Sequence, residues 1–348
     1  MNILNRTSMN TNKLLIFAII WSLHFCSTSS KFIESIKNHD EQTVFKMLSE
    51  DPTLISARDK DGNSSLHYAV GISDDNLLIG LLKKNPNVNV QNNAGFSPAH
   101  VAAQRQNVNA LKLLFQAGAN FEIKTNEGST PLLTAVFRQA GPSVKFLIET
   151  VKVNPNVIDK DGSTPLIYAI YKSYTELALY LIEHGADYTL KDRDGISPLF
   201  EAASQGNLTV VKTLIRLKAP IDDQMSKGFT PLHNAIAFSR SEVAEFLIEN
   251  GASVNLSNRD GLNAVLFACA NGNLPILEKI LKFGGSLNSQ DNKKRTPLHF
   301  AAYNGHLPIV TFLLNNGANL HVRDLNGKTP YDLAYEKQNK NLYDLLKP

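Results

Sequence analysis

The chain has 348 residues, of which 43% are hydrophobic and 19% charged, and its formal charge is +3. That balance excludes a disordered chain, and the length exceeds one conventional core, so the chain forms either several domains or an elongating array. Residues 1–30 hold two of the 35 basic and none of the 32 acidic residues, so the remainder carries +1 and has no general attraction to nucleic acid or anionic membrane.

At the N-terminus, Leu14 to Cys26 reads LLIFAIIWSLHFC. This apolar run has the length of a signal-peptide core and is too short to span a bilayer comfortably. Lys13 precedes it, and Ser27, Thr28, Ser29 and Ser30 suit a cleavage site near Ser29. Residues 1–29 are therefore expected to be a signal peptide that sends the chain to the periplasm or out of the cell. The alternative is an uncleaved membrane anchor formed by residues 14–26. Met9 would give a more compact leader, while His24 and Phe25 are too bulky for lipoprotein cleavage before Cys26. Without the leader only Cys269 remains, so no internal disulfide is available.

Residues 32–59 include FIESIKNHDEQTVFKML, which has the apolar spacing of two short helices and suits a terminal cap. A glycine beat follows at Gly62, Gly95, Gly128, Gly162, Gly195, Gly228, Gly261 and Gly327, in steps of 33 or 34 residues that skip one beat at Lys294. Pro98, Pro131, Pro165, Pro198, Pro231, Pro297 and Pro330 come three residues after a beat. A period of this size means stacked supersecondary units, each burying its apolar face on its neighbours. Asp-Gly or Asn-Gly supplies the positive φ of a tight turn. Thr or Ser then caps a first helix, and proline occupies its first position, where a missing N–H costs nothing. Leu132, Leu166, Leu199, Leu232 and Leu298 are predicted to face the stack. Ala102, Ala135, Ala169, Ala202, Ala235, Ala268 and Ala301 let helices approach closely. Second helices carry larger residues at helical spacing, such as Val210, Val211, Leu214 and Ile215.

In this register the repeats read, for example, DGSTPLIYAI from Asp161 and KGFTPLHNAI from Lys227. Several close with Gly-Ala-Asn or Gly-Ala-Asp, as at Gly118 and Gly185. The pattern resembles the ankyrin repeat, G-x-TPLH-x-A-A with a second helix and a G-A-D/N ending, over about residues 32–348. The resemblance implies an all-α ankyrin-repeat solenoid of stacked helix-turn-helix units with short β-hairpin fingers. It is expected as a single domain over 30–348, with a cap at 32–59 and repeats at 60–92, 93–125, 126–159, 160–192, 193–225, 226–258, 259–291, 292–324 and 325–348. It also implies a non-catalytic scaffold whose protein partner contacts the concave face and the hairpin tips.

His67, His100, His233 and His299 share one repeat position, which is occupied elsewhere by Leu133, Ile167, Phe200 and Leu266. Such spacing cannot bring metal ligands together. The resemblance assigns these histidines to hydrogen bonds with the turn backbone. Cys269 replaces alanine and is predicted to be buried. No phosphate loop, zinc spacing or nucleophile elbow occurs, so no enzyme activity, cofactor or metal is expected. Asn63, Asn207 and Asn255 begin sequons, although a glycan on Asn255 would disrupt the stack.

Transferring the family's contact surface gives the candidate partner-binding residues Arg105, Phe137, Arg138, Tyr171, Lys172, Phe96, Phe229, Phe238 and Tyr303, with Arg295 at the skipped beat. Aromatic and arginine side chains are frequent interface anchors. The alternatives are that these rings pack on their own neighbours, or that the basic-aromatic set binds a small ligand. The partner is expected to be a protein of unknown identity, with no nucleic acid, a membrane only if the leader is retained, and a monomeric chain. Asn263-Ala264 replaces Thr-Pro and is predicted to lose the strong helix cap, which with Lys294 would make a softer joint.

Overall fold

A computed structural model describes residues 27–347. The chain divides into two compact units, one ending at Lys160 and the other beginning at Asp161. Residues 1–26, most of the expected leader, lie outside the described residues. Among those described, no helix is long and apolar enough to cross a membrane.

The N-terminal unit contains α1 (27–37), α2 (Glu41–Glu50), α3 (Ser65–Gly71), α4 (Asp75–Leu82), α5 (Pro98–Gln104), α6 (Val108–Gln116), α7 (Pro131–Phe137) and α8 (Gly141–Lys145). A wider, π-type turn over Phe146–Val151 extends α8. Ser29 is buried within α1, so a cut near it would shorten that helix. The C-terminal unit begins with α9 (Pro165–Tyr171), α10 (Thr175–Glu183), α11 (Pro198–Gln205), α12 (Leu208–Arg216), α13 (Pro231–Ala237) and α14 (Ser241–Glu249). It continues through α15 (Ala264–Asn271), α16 (Leu274–Lys282), α17 (Pro297–Asn304), α18 (Leu307–Asn315), α19 (Pro330–Glu336) and α20 (Tyr343–Leu346).

Caps fix where the helices start. Thr130, Thr164 and Ser197 accept the amide N–H three residues on, at 3.2–3.3 Å, and proline follows each of them. Asn263 corrects the expected cap loss. Its Oδ1 accepts the Leu266 N–H at 3.2 Å, and its Nδ2 donates to Ser289 Oγ at 2.9 Å. Asparagine is among the best N-caps, so α15 loses the proline but keeps the cap. Second helices are capped by Asp74, Asn107, Asn207 and Asn273 in the same way.

First helices stack on first helices within each unit, α5 against α7 and α15 against α17 among them. Ala102 and Ala135 in one unit, and Ala169, Ala202, Ala235, Ala268 and Ala301 in the other, are fully buried. A methyl group at each contact lets backbones approach to a distance that a larger side chain would forbid. The five predicted stack-facing leucines are buried as well, as are Val210, Val211 and Leu214, while Ile215 is half-buried.

The fingers are turns rather than the expected β-hairpins. Among the described residues the only β-type pairing is an isolated antiparallel bridge between Arg58 and Ser64. Each finger is too short for a ladder: in the one at Gly95, Asn92 donates to Phe96 O and Gly95 donates back to Asn92 O, both at 2.9 Å. Successive fingers are joined by a backbone bond, from Asn126 N to Ala94 O at 3.1 Å in one unit and from Arg259 N to Lys227 O at 3.1 Å in the other. The glycine beat answers both constraints. Gly95 has φ +84°, and a Cβ there would lie 2.6 Å from Asn126 N. Lys294 adopts φ +58° and still allows Leu325 N to reach Lys293 O at 2.9 Å, so the skipped beat keeps the turn at a cost in backbone strain.

Candidate partner-binding surfaces

Two expected site residues come together in the N-terminal unit. Phe96 follows the turn glycine and Arg105 caps the C-terminus of α5. Both line an open groove of about 590 Å³ together with Lys37, Asn63, Tyr68 and Gln104. Lys37, on α1, stands 4.7 Å above the Tyr68 ring, and Arg105 is exposed. The Tyr68 hydroxyl donates to Asp59, which also accepts the Asn63 backbone N–H at 2.8 Å. Burial and then the Asp59 carboxylate push the Tyr68 phenol up to about 12, so it remains a neutral donor. The result is a concave surface with two rings and two cations. Lys37 and Tyr68 carry no mark in the sequence, because Lys37 lies in the degenerate cap and Tyr68 at a position that varies freely between repeats.

Other expected residues lie in sequence-adjacent pairs, in a second groove or alone. Phe137 ends α7 and is 46% exposed, with the Arg138 guanidinium 5.9 Å from its ring. In the C-terminal unit Tyr171 ends α9 and is 54% exposed, with Lys172 Nζ at 5.1 Å. In both cases the cationic residue is the helix C-cap, at the end of the helix where positive charge is favoured. Phe238 is the most exposed of the expected aromatic residues, at 56%. Tyr303 has Lys337 4.4 Å over its ring and shares an open groove of about 370 Å³ with Arg295, Phe300 and Lys328. Arg295 there pairs with Asp291 at 2.6 Å and lies 4.5 Å from the Phe300 ring, and Lys328 pairs with Glu336 at 2.5 Å. Phe229 is half-buried, with its ring 5.8 Å from Phe267 and 6.4 Å from His233, so it packs within the stack.

The histidines join first helices to fingers. His67 Nδ1 accepts the Ser64 N–H at 3.1 Å, and its Nε2 meets Phe96 O of the next repeat at 2.9 Å. His100, His233 and His299 repeat this, with Nε2 contacts to Ser129 O, Leu256 O and Lys328 O at 2.9–3.1 Å. A fixed donor on one ring nitrogen and a fixed acceptor on the other select the neutral Nε2–H tautomer. Burial lowers all four, His100 and His233 to about 4.

A family model of ankyrin repeats in three copies matches residues 32–125, 100–192 and 189–258. Two further ankyrin-repeat models match residues 242–281 and 280–334. The chain belongs to the ankyrin-repeat family. No curated protein matches it closely enough to count as a relative.

Cys269 is buried and burial pushes its thiol up, which holds it as an inert thiol. Among the described residues, no three histidine, cysteine or carboxylate side chains converge on a point that could hold a metal ion. All three sequon amides already donate within the fold: Asn63 to Asp59 Oδ2 at 3.2 Å, Asn207 to Thr175 Oγ1 at 2.8 Å, and Asn255 to Gly284 O at 3.1 Å. A glycan on any of them would displace one of these bonds.

Proposed function

We propose that this ankyrin-repeat protein is an exported, non-catalytic scaffold that holds a protein partner in its N-terminal groove. Ankyrin repeats generally mediate protein–protein interaction, and the family is typically a non-catalytic scaffold. The observation that carries the finer reading is the groove itself, where Tyr68 and Phe96 flank the cations Lys37 and Arg105. Aromatic area with charged hydrogen-bond donors at its rim is the composition of an interface anchor site. Phe137, Arg138, Tyr171, Lys172, Phe238 and Tyr303 offer further contacts along the first-helix ends. Phe229 is set aside, because its ring packs inward.

The test is affinity capture from the native compartment with wild type and with Phe96→Ala/Arg105→Ala, alongside thermal melts of both. The reading expects a partner held by wild type and lost from the variant, with nearly coincident melting curves. A partner retained by the variant would contradict it. Export rests on the leader sequence, and N-terminal sequencing of the mature chain tests it. Retention of residues 14–26 would favour an anchored adaptor instead.

A further inference from the structure

The C-terminal unit carries equal numbers of basic and acidic residues, yet its fingertips do not share that balance. Arg193, Lys227, Arg259, Lys293 and Lys294 stand exposed on four consecutive fingers, and none has an acidic partner among the described residues. The acids of these fingers are largely committed elsewhere. Asp192 Oδ1 accepts the Asp194 and Ile196 N–H groups at 3.0 and 2.9 Å, Asp291 is buried against Arg295, and Asp223 pairs with Lys191. Only Asp194 and Asp260 remain exposed at the tips. The order of the cations is fixed, because Ser226 N, Arg259 N and Asn292 N each donate to the preceding finger at 2.9–3.1 Å. An open groove of about 580 Å³ runs between three of these fingers, lined by Arg193, Gln224, Ser226, Ser257 and Arg259.

The last of these four fingers gives a second, independent indication. Every other beat is glycine, but here the sequence is Lys293-Lys294-Arg295, and Lys294 is held at φ +58°. A lysine kept where the backbone favours glycine is strain with a charge as its product.

From these observations we infer that the fingertip edge of the C-terminal unit binds an extended acidic segment of the protein partner. The inference rests on the scaffold reading and adds the chemistry of what is recognised. Charge complementarity sets the occupant. Asp194 and Asp260, interspersed with the cations, repel a polyanion of uniform charge but leave room for carboxylates at spaced positions. The open groove suits an extended main chain, whose amides find the polar residues Gln224, Ser226 and Ser257 beside it.

The experiment uses the full chain and a fluorescent peptide with spaced glutamates, compared with its glutamine counterpart, single-stranded DNA and phosphatidylserine vesicles. The acidic peptide is expected to bind about tenfold more tightly than the glutamine peptide at low salt, with the difference shrinking as salt is added. Arg259→Glu/Lys293→Glu should abolish that preference. Lys294→Gly should weaken acidic-peptide binding while raising the melting temperature, a combination that loss of fold cannot produce. Equal binding of the two peptides, or tighter binding of DNA or vesicles, would overturn the inference. In the capture experiment, a partner retained by the charge-reversed chain defeats this inference alone, whereas failure of wild type to hold any partner defeats the scaffold reading beneath it.

Discussion

Acidification should destabilise both units through the buried histidines, over a range set by their shift. His100 in one unit and His233 in the other are neutral, fully buried and bonded at both ring nitrogens. Their folded-state values lie near 4 against an ordinary 6.5, so the unfolded chain binds protons first as pH falls. Their contribution is complete above about pH 6.5 and is lost progressively down to about pH 4. A shift of this size corresponds to about 3 kcal/mol per histidine, of which about 2 kcal/mol is already lost at pH 5. His67 and His299 act in the same direction, while Glu201, whose carboxyl burial raises, acts in the opposite one. The lowered carboxylates of Asp59 and Asp332 matter only below their ordinary value of 3.8, outside this range. Urea unfolding at about pH 7 and pH 5 should show the loss in wild type. His100→Leu/His233→Leu should start less stable, since Ser129 O and Leu256 O lose their donors, but change less with pH. Histidine NMR titration provides the direct check. Midpoints of His100 and His233 between 6 and 7 would refute the reasoning.

Three further outcomes follow from the turns, the caps and the core. Gly95→Ala should cost on the order of 1–3 kcal/mol in thermal or urea unfolding, because positive φ and the neighbouring Asn126 N oppose a Cβ, whereas Lys294→Gly should gain roughly 1 kcal/mol. Asn263→Ala should cost about 1 kcal/mol by removing the cap of α15, measured by urea unfolding of the full chain; no change would show the cap to be idle. Cys269 should resist thiol reagents in the native chain and react only on unfolding, and rapid native labelling would contradict its burial.

Much of the fold is legible in the sequence because each repeat restates one set of physical demands. Glycine marks the positive φ, Thr-Pro the helix start, alanine the close approach and histidine the bond to the next finger. What is not legible depends on chemistry that another residue can supply, or on neighbours outside the pattern. Asn263 caps α15 as threonine would, so a departure from the motif is no departure in structure. The β-hairpins reduce to turns because two backbone bonds close each finger. The repeat also assigns a position without assigning its surroundings: Phe96 and Phe229 share one register, are both half-buried and both meet the histidine of their own repeat, yet the first lines a groove and the second also packs against Phe267. Lys37 and Tyr68 complete that groove from a repeat with no signature and from a variable position.

The most direct test of the central claim is photo-crosslinking in the native compartment. A crosslinking amino acid would replace Phe96 in the N-terminal groove or Phe115, which is exposed on the second helix α6. The account predicts a discrete protein adduct from position 96 and none from position 115. An adduct from 115 with none from 96 would contradict it.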